Sequence, residues 1–362
     1  MSPITATPPR VRLRRSDVTV PGLTRRRHGR GFTYLDSDGE RVSDEEVLAR
    51  IAELAIPPAW QDVWICPYPG GHIQATGIDA AGRKQYLYHP HWRVRRDQAK
   101  FDEMLDFARA LPRMRERVRA DLEGRDDMGR ERVLACAVRL LDIGCFRIGS
   151  EDYAVTNETY GLATMRRSHV TLRGDTIAFD YPAKHGKQRV QSVIDPEVAV
   201  VVEALKRRRG SLPELLAYKE AGRWVGVRSG DINAYIKEAT GEECSAKDFR
   251  TWGATVWAAV ALAVSGGVQD TKTARRQAVT RAIEEVARHL GNTPAVARAS
   301  YVDPRVIDRF QDGQAVDVDL VALSEDGTAI QGPVEEAVID LIADPDDSPA
   351  VLSLEEAVPE AA

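Results

Sequence analysis

The chain has 362 residues, 43% of them hydrophobic and 29% charged, with a formal net charge of -5 at pH 7. That length can bury a sizeable core in one or two domains. No apolar run approaches a membrane span and the N-terminal stretch lacks a secretory apolar core, so the expectation is a soluble, intracellular protein with no membrane partner. The net charge conceals an uneven distribution: residues 303–362 carry 16 Asp/Glu against two Arg, which leaves 48 Lys/Arg against 39 Asp/Glu in the rest of the chain. A basic body with an acidic tail is the pattern of a polyanion binder whose tail modulates its own basic surface; each terminus taken alone reads equally well as a solvated, disordered end.

Residues 1–30 hold eight Arg and a single acid, Asp17, without a sustained apolar period, and are expected to form a disordered, Arg-rich arm. Over residues 31–98 the texture changes to short strand-like runs (Phe32–Leu35, Val63–Cys66, Ile73–Ile78, Gln85–Tyr88) broken by turns and one amphipathic helix from about Asp44 to Glu53. These predict a small, mostly antiparallel sheet domain. Between Arg93 and Asp102 helical periods take over and predict a mainly α-helical domain over 99–311. Phe101, Leu105 and Ala108 begin one helix; Val133, Leu134, Ala137, Val138 and Leu141 share a face of another that ends near Gly144; a third, very apolar, runs through Ala254–Val260. Within this region His169–Leu172, Thr176–Tyr181 and Arg189–Ile194 read as three strands joined by tight turns at Gly174-Asp175 and Lys184–Lys187. Residues 312–362, acidic and free of aromatics, read as a disordered tail. Cys66, Cys136, Cys145 and Cys244 form no CxxC pair and have no nearby His cluster, so they are expected to be buried apolar residues, neither a metal site nor a disulfide framework.

Several residues could carry chemistry. Tyr301 follows Gly291-Asn292-Thr293-Pro294, in which Thr293 and Pro294 read as N-cap and N1 of a helix that carries the tyrosine. A tyrosine can attack phosphorus, but it needs cations to stabilise the phenolate and the transition state. On a continuous helix the nine-residue spacing would set Asn292 and Tyr301 on opposite faces, so two readings stand, nucleophile and core aromatic. Arg147, where the second helix should end, suits a phosphate clamp or a helix C-terminus. Lys184 and Lys187, at a hairpin tip, suit a general acid held rigidly, a DNA contact, or simple turn solubility. Arg250, ahead of the apolar helix, suits a clamp, a cap or an ion pair.

Taken in order, Arg147-Ile-Gly-Ser-Glu, the hairpin Lys184, Ala246-Lys-Asp-Phe-Arg250-Thr-Trp-Gly, and Gly291-Asn-Thr-Pro with Tyr301 resemble the catalytic motifs of type IB DNA topoisomerases of the bacterial and poxvirus-like branch. Gly82-Arg-Lys-Gln-Tyr-Leu-Tyr88 is similar to the DNA-contacting strand of that family's small N-terminal domain. The resemblance covers roughly Gly31 to Phe310. It implies an α+β fold, a small antiparallel β domain plus a mainly α catalytic domain with a three-stranded sheet, closing as a C-shaped clamp. It implies relaxation of supercoiled duplex DNA, without ATP, metal or any other cofactor, through a 3′-phosphotyrosyl intermediate. Tyr301 would be the nucleophile, Arg147 and Arg250 the clamps on the non-bridging oxygens, Lys184 the general acid, and Asn292 a phosphate donor where many members carry histidine. Arg83, Lys84, Gln85, Tyr86, Tyr88 and Lys187 would contact DNA. The implied protein is a bacterial monomer on nucleoid DNA in the cytoplasm. The rivals are a tyrosine recombinase, which usually has histidine where Lys247 stands, and a DNA-binding protein without catalysis.

Overall fold

The structure, a computed structural model, describes residues 12–123, 128–266, 271–317, 331–343 and 348–354. The chain divides into two units, Met1–Asp102 and Glu103–Ala362.

In the first unit the chain runs through β1 (Leu23–His28), β2 (Gly31–Leu35), α1 (Glu45–Glu53), β3 (Gln61–Ile65), β4 (Ile73–Ile78) and β5 (Lys84–Tyr88). The strands form one antiparallel sheet in the order β2-β1-β3-β4-β5, with Thr24 opposite both Leu35 and Trp64, and Thr76 opposite Tyr86. Period-two alternation sends Leu23, Val63, Ile65 and Ala75 to one face, where they meet Ile51 of α1 and Ile56. Asp44 starts α1 by accepting from the Glu46 and Val47 amides at 2.9 and 3.2 Å, as an N-cap does.

The Arg-rich arm needs correction here, because β1 lies within it. Leu23 is buried opposite Ile65, and Arg25 donates to the carbonyls of Ile56, Pro57 and Trp60 while its guanidinium lies over the Phe32 ring. The arginines conceal a strand whose apolar anchor is a single leucine. The arm's first eleven residues lie outside the described ones.

The second unit is mainly helical. The later part of α2 (Pro90–Glu123) leads to α3 (Arg130–Gly144), α4 (Glu151–Asn157) and a three-stranded antiparallel sheet, β6 (Val170–Arg173), β7 (Thr176–Pro182) and β8 (Gln188–Ile194), in the order β6-β7-β8. Next come α5 (Pro196–Arg207), the two-stranded pair β9 (Ala217–Glu220) and β10 (Arg223–Gly226), α6 (Ser229–Thr240), α7 (Ala246–Gly266), α8 (Lys272–Leu290), α9 (Pro294–Ser300) and α10 (Pro304–Gln311). Helix α3 is the hub and packs against α5, α6, α7, β8 and β9. Val133 to Val138, Leu140 and Leu141 are all fully buried, so the helix is apolar around most of its circumference and exceeds the single face that its periodicity predicts. The four cysteines are buried and unpaired.

The disordered acidic tail is also corrected in part. β11 (Gln314–Val316) pairs with β12 (Val351–Ser353), and a helix over Pro333–Ala343 packs on α7 and α10 through Ala337, Val338, Leu341 and Ile342. Glu335, 8% exposed, accepts from Arg115, from the Trp252 indole at 2.8 Å and from the Gly332 amide. Acidic composition hides an amphipathic helix whose carboxylate is a buried partner. Residues 318–330, 344–347 and 355–362 of the expected tail lie outside the described ones.

Candidate active site

The second unit gathers Tyr301, Arg250, Arg147 and Asn292. Helix α9 opens on Thr293, whose hydroxyl accepts from the Val296 amide, with Pro294 at N1 as expected. It closes one residue before Tyr301: the tyrosine is the C-cap, with φ -130 and ψ -32, and its amide bonds to Ala297 O at 3.0 Å. The helix thus ends where the tyrosine begins, and the opposite-face geometry of a continuous helix does not apply. The half-buried ring lies beneath Arg250, with the guanidinium carbon 5.3 Å from the ring centroid.

Helix α7 holds both partners. Arg250, 4% exposed, projects from its first turns. Fully buried Thr255 accepts from the Asp303 amide at 3.1 Å, with the carbonyls of Thr251 (2.9 Å) and Tyr301 (3.3 Å) within donating reach. The residues flanking Tyr301 are therefore tied to the helix that carries the arginine.

Arg147 lies in the loop after α3. That helix ends on Cys145 in the left-handed region at φ 47, a conformation that costs a non-glycine residue about 1–3 kcal/mol. The turn presents the Cys145 carbonyl to Arg250 Nη1, a charge-assisted bond that offsets the strain. Beyond it, Arg147 O and Ile148 O accept from the Leu162 and Ala163 amides at 2.8 and 2.7 Å. A Cβ on Gly161 would lie 2.4 Å from Gly149 N, so glycine is what permits this close approach. Arg147 Nη2 donates to Asn292 Oδ1 and, at 3.3 Å, to Gly291 O. With Oδ1 taken, the Asn292 amide is oriented with Nδ2 as its remaining donor.

Two donors in this group, Arg250 Nε and Asn292 Nδ2, are buried with no partner among the described residues. Such groups cost about 1–3 kcal/mol each unless something arrives to accept from them. The site is also rich in uncompensated positive charge. Burial and neighbouring Arg250 pull Arg147 below the ordinary guanidinium range. Burial alone would raise the Tyr301 phenol, yet Arg250, by charge and hydrogen bond, together with Arg147 and Lys247, brings it below its usual value. An anion with several acceptor oxygens satisfies every one of these demands.

Lys184 stands apart. It begins the short 3-10 turn Lys184–Gly186 at the β7–β8 tip, is exposed, and makes no side-chain hydrogen bond or ion pair with a described residue. Lys187 follows in the same exposed turn. In the first unit, Lys84, Tyr86 and Tyr88 line the exposed face of edge strand β5, the two rings stacked with centroids 6.1 Å apart and Lys84 Nζ 5.9 Å from the Tyr86 ring. Gln85 faces the other way by strand alternation, and Asp79 holds its amide at 2.9 Å and Arg83 Nε at 3.0 Å. Of the strand's candidate DNA contacts, three share the open face and Gln85 does not. Among the described residues no group of His, Cys, Asp and Glu is arranged to hold a metal ion, and no helix is long and apolar enough to cross a membrane.

Arg189 has no counterpart among the residues expected from the sequence. It lies opposite Tyr181 in the β7–β8 register, near Arg250 and Arg147, and donates to Gln191 Oε1 at 2.7 Å and His289 O at 2.6 Å.

Residues 89–316, more than half of the chain, match the family described as eukaryotic DNA topoisomerase I, catalytic core. Residues 31–79 match the bacterial DNA topoisomerase IB N-terminal domain. The chain is 28% identical over 297 residues to a DNA topoisomerase 1B of Acanthamoeba polyphaga mimivirus, covering 81% of this chain and 88% of that one. It is 20% identical to a DNA topoisomerase 1 of Rabbit fibroma virus (strain Kasza), covering 77% and 89%.

Proposed function

From the premise that the chain belongs to the type IB DNA topoisomerase family and is a DNA-acting isomerase, we propose that the Tyr301 cluster is its reaction centre. The observation that carries the proposal is the pair of orphaned donors, Arg250 Nε and Asn292 Nδ2, beside a tyrosine whose phenol is tuned toward phenolate. A scissile phosphate supplies the acceptors they lack.

In the proposed cycle the Tyr301 phenol loses its proton to solvent and its oxygen attacks phosphorus. The bond from phosphorus to the 5′ oxygen breaks, and Lys184 gives that oxygen its proton. Arg147 and Arg250 hold the non-bridging oxygens as negative charge builds on them, and Asn292 donates a neutral hydrogen bond that does not titrate. The phosphotyrosyl ester keeps the bond energy of the strand, so no nucleotide is consumed. After the nicked strand swivels, the 5′ hydroxyl attacks the ester, returns a proton to Lys184 and releases Tyr301. Exposed Lys84, Tyr86 and Tyr88 contact the duplex from β5, the lysine through phosphate and the rings through sugar and base faces, with Arg83, Gln85 and Lys187 in supporting contact. The reading extends to a monomer acting on nucleoid DNA in a bacterial cytoplasm, in keeping with the match to a bacterial N-terminal domain.

Supercoiled plasmid incubated with wild type and with Tyr301→Phe, in EDTA and without ATP, tests the proposal. Wild type is expected to relax it and to leave protein on 3′ ends under denaturing quench; Tyr301→Phe does neither. Relaxation by the phenylalanine variant, or a covalent adduct on 5′ ends, would refute it.

A further inference from the structure

Three guanidiniums converge on the last carbonyls of α8. Arg189 from β8 donates to His289 O at 2.6 Å, Arg250 from α7 to Leu290 O at 3.0 Å, and Arg147 from the loop after α3 to Gly291 O at 3.3 Å. Each comes from a different element and each takes one of three successive oxygens. The C-terminal end of a helix leaves its last carbonyls without intrahelical partners and carries about half a negative charge. It is therefore a seat for cations, and here it seats three side by side.

Two of the three belong to the proposed clamp. We propose that the third, Arg189, is a positioning residue for strand cleavage and religation, which sets the α8 terminus on which Arg250, Arg147 and Asn292 are registered. This rests on the Tyr301 reading above. Arg189 Nε is held by Gln191 Oε1 at 2.7 Å, and Gln191 Nε2 donates to Gly144 O at 3.2 Å, so strand β8 links the end of α3 to the end of α8. The two helix ends that deliver Arg147 and Asn292 are thus fixed to each other through Arg189. The third observation is steric. Gly291 has φ +65, and a Cβ there would lie 2.9 Å from Arg189 Nη1, so that nitrogen comes close against the backbone of the turn that leads into Asn292. Arg189 pairs with no carboxylate among the described residues; burial lowers its pKa and nearby Arg250 lowers it further, while the Tyr181 phenol opposes this. An arginine kept half-buried beside two others, with only carbonyl and amide oxygens for partners, is costly as a scaffold alone.

The experiment uses the full chain in single-turnover cleavage of a duplex substrate, with Arg189→Ala, Arg189→Lys and Asn292→Ala, and with wild type and Tyr301→Phe alongside. Misplacing the clamp should slow Arg189→Ala by about tenfold to a hundredfold, while DNA affinity measured in the Tyr301→Phe background is unchanged. Arg189→Lys, which keeps a donor for His289 O, should recover part of the rate. With a methylphosphonate at the scissile position, where one charged oxygen is absent and the clamp has less to neutralise, the defect should shrink to within about threefold. The double variant Arg189→Ala/Asn292→Ala should cleave no more slowly than the slower single variant, because both act through one turn. The proposal is overturned by a wild-type rate in Arg189→Ala, by an equal defect on both substrates, or by defects that multiply. An inert wild type would instead remove the Tyr301 reading on which it rests.

Discussion

Thr255→Val isolates what holds Tyr301 in place. The substitution keeps the side-chain shape and removes only the hydroxyl that accepts from the Asp303 amide at 3.1 Å and lies 3.3 Å from Tyr301 O. Thr255 and Asp303 are both fully buried, so water cannot replace the lost acceptor. Leaving that amide unpaired costs about 1–3 kcal/mol, which for a unit of this size lowers Tm by about 2–4 °C per kcal/mol. The kinetic effect should be larger than that fall implies. Thr255 lies five residues along α7 from Arg250, and its hydroxyl ties the backbone of Tyr301 and Asp303 to that helix. A drift of about 1 Å between the proposed nucleophile and its proposed clamp slows an oriented reaction by about a hundredfold. Differential scanning fluorimetry and single-turnover cleavage on one preparation read both quantities, with Thr255→Ser, which keeps the hydroxyl, as the control. A valine variant that melts early but cleaves at the wild-type rate would refute the positioning role. So would a serine variant that loses as much as valine, since the missing methyl would then be responsible.

Three further outcomes follow from the geometry. Lys247 is one of the cations that bring the Tyr301 phenol below its usual value, so Lys247→Ala should raise it. Below both values the phenolate fraction falls with the shift, about tenfold per unit; cleavage near neutral pH should therefore slow, the inflection of the pH–rate profile should move alkaline, and an unmoved inflection would contradict the electrostatic account. Lys184→Ala should slow cleavage of ordinary DNA but not of a substrate with a bridging 5′ sulfur, a leaving group that needs no proton, and equal defects on the two would exclude the general-acid role. Glu335→Ala should destabilise the second unit by about 1–3 kcal/mol, because it leaves the buried Trp252 indole without its acceptor and removes one of the two carboxylate partners of half-buried Arg115, with Asp142 remaining; a melting temperature matching wild type would show that the Pro333–Ala343 helix is dispensable.

The order of motifs made Arg147, Arg250, Asn292 and Tyr301 legible in the sequence, and alternation and helical period made the sheet and the helices legible. The parts that escaped have a common physical character. Arg189 reads as an ordinary polar position on a strand; its partners are a backbone carbonyl and a neighbouring amide, which leave no trace in residue type. Thr255, inside an apolar helix, shows no sign that its hydroxyl serves a residue 48 positions away. β1 was hidden by its arginines and the Pro333–Ala343 helix by its acids, since composition counts charge and does not see which charges are buried with a partner.

That same character accounts for the chemistry proposed for the site. Arginines held by carboxylates would be neutralised before substrate arrived, and a phosphate would have to displace a full negative charge. Here the side-chain and backbone oxygens of Cys145, His289, Leu290, Gly291, Gln191 and Asn292 hold the three guanidiniums. A helix terminus offers only about half a charge in total. The arginines are therefore fixed in direction but left mostly unneutralised, which keeps the Tyr301 phenol below its usual value and leaves Arg250 Nε and Asn292 Nδ2 awaiting acceptors. Carbonyl seating supplies rigidity without cancelling charge, the combination that stabilising a transition state at phosphorus requires.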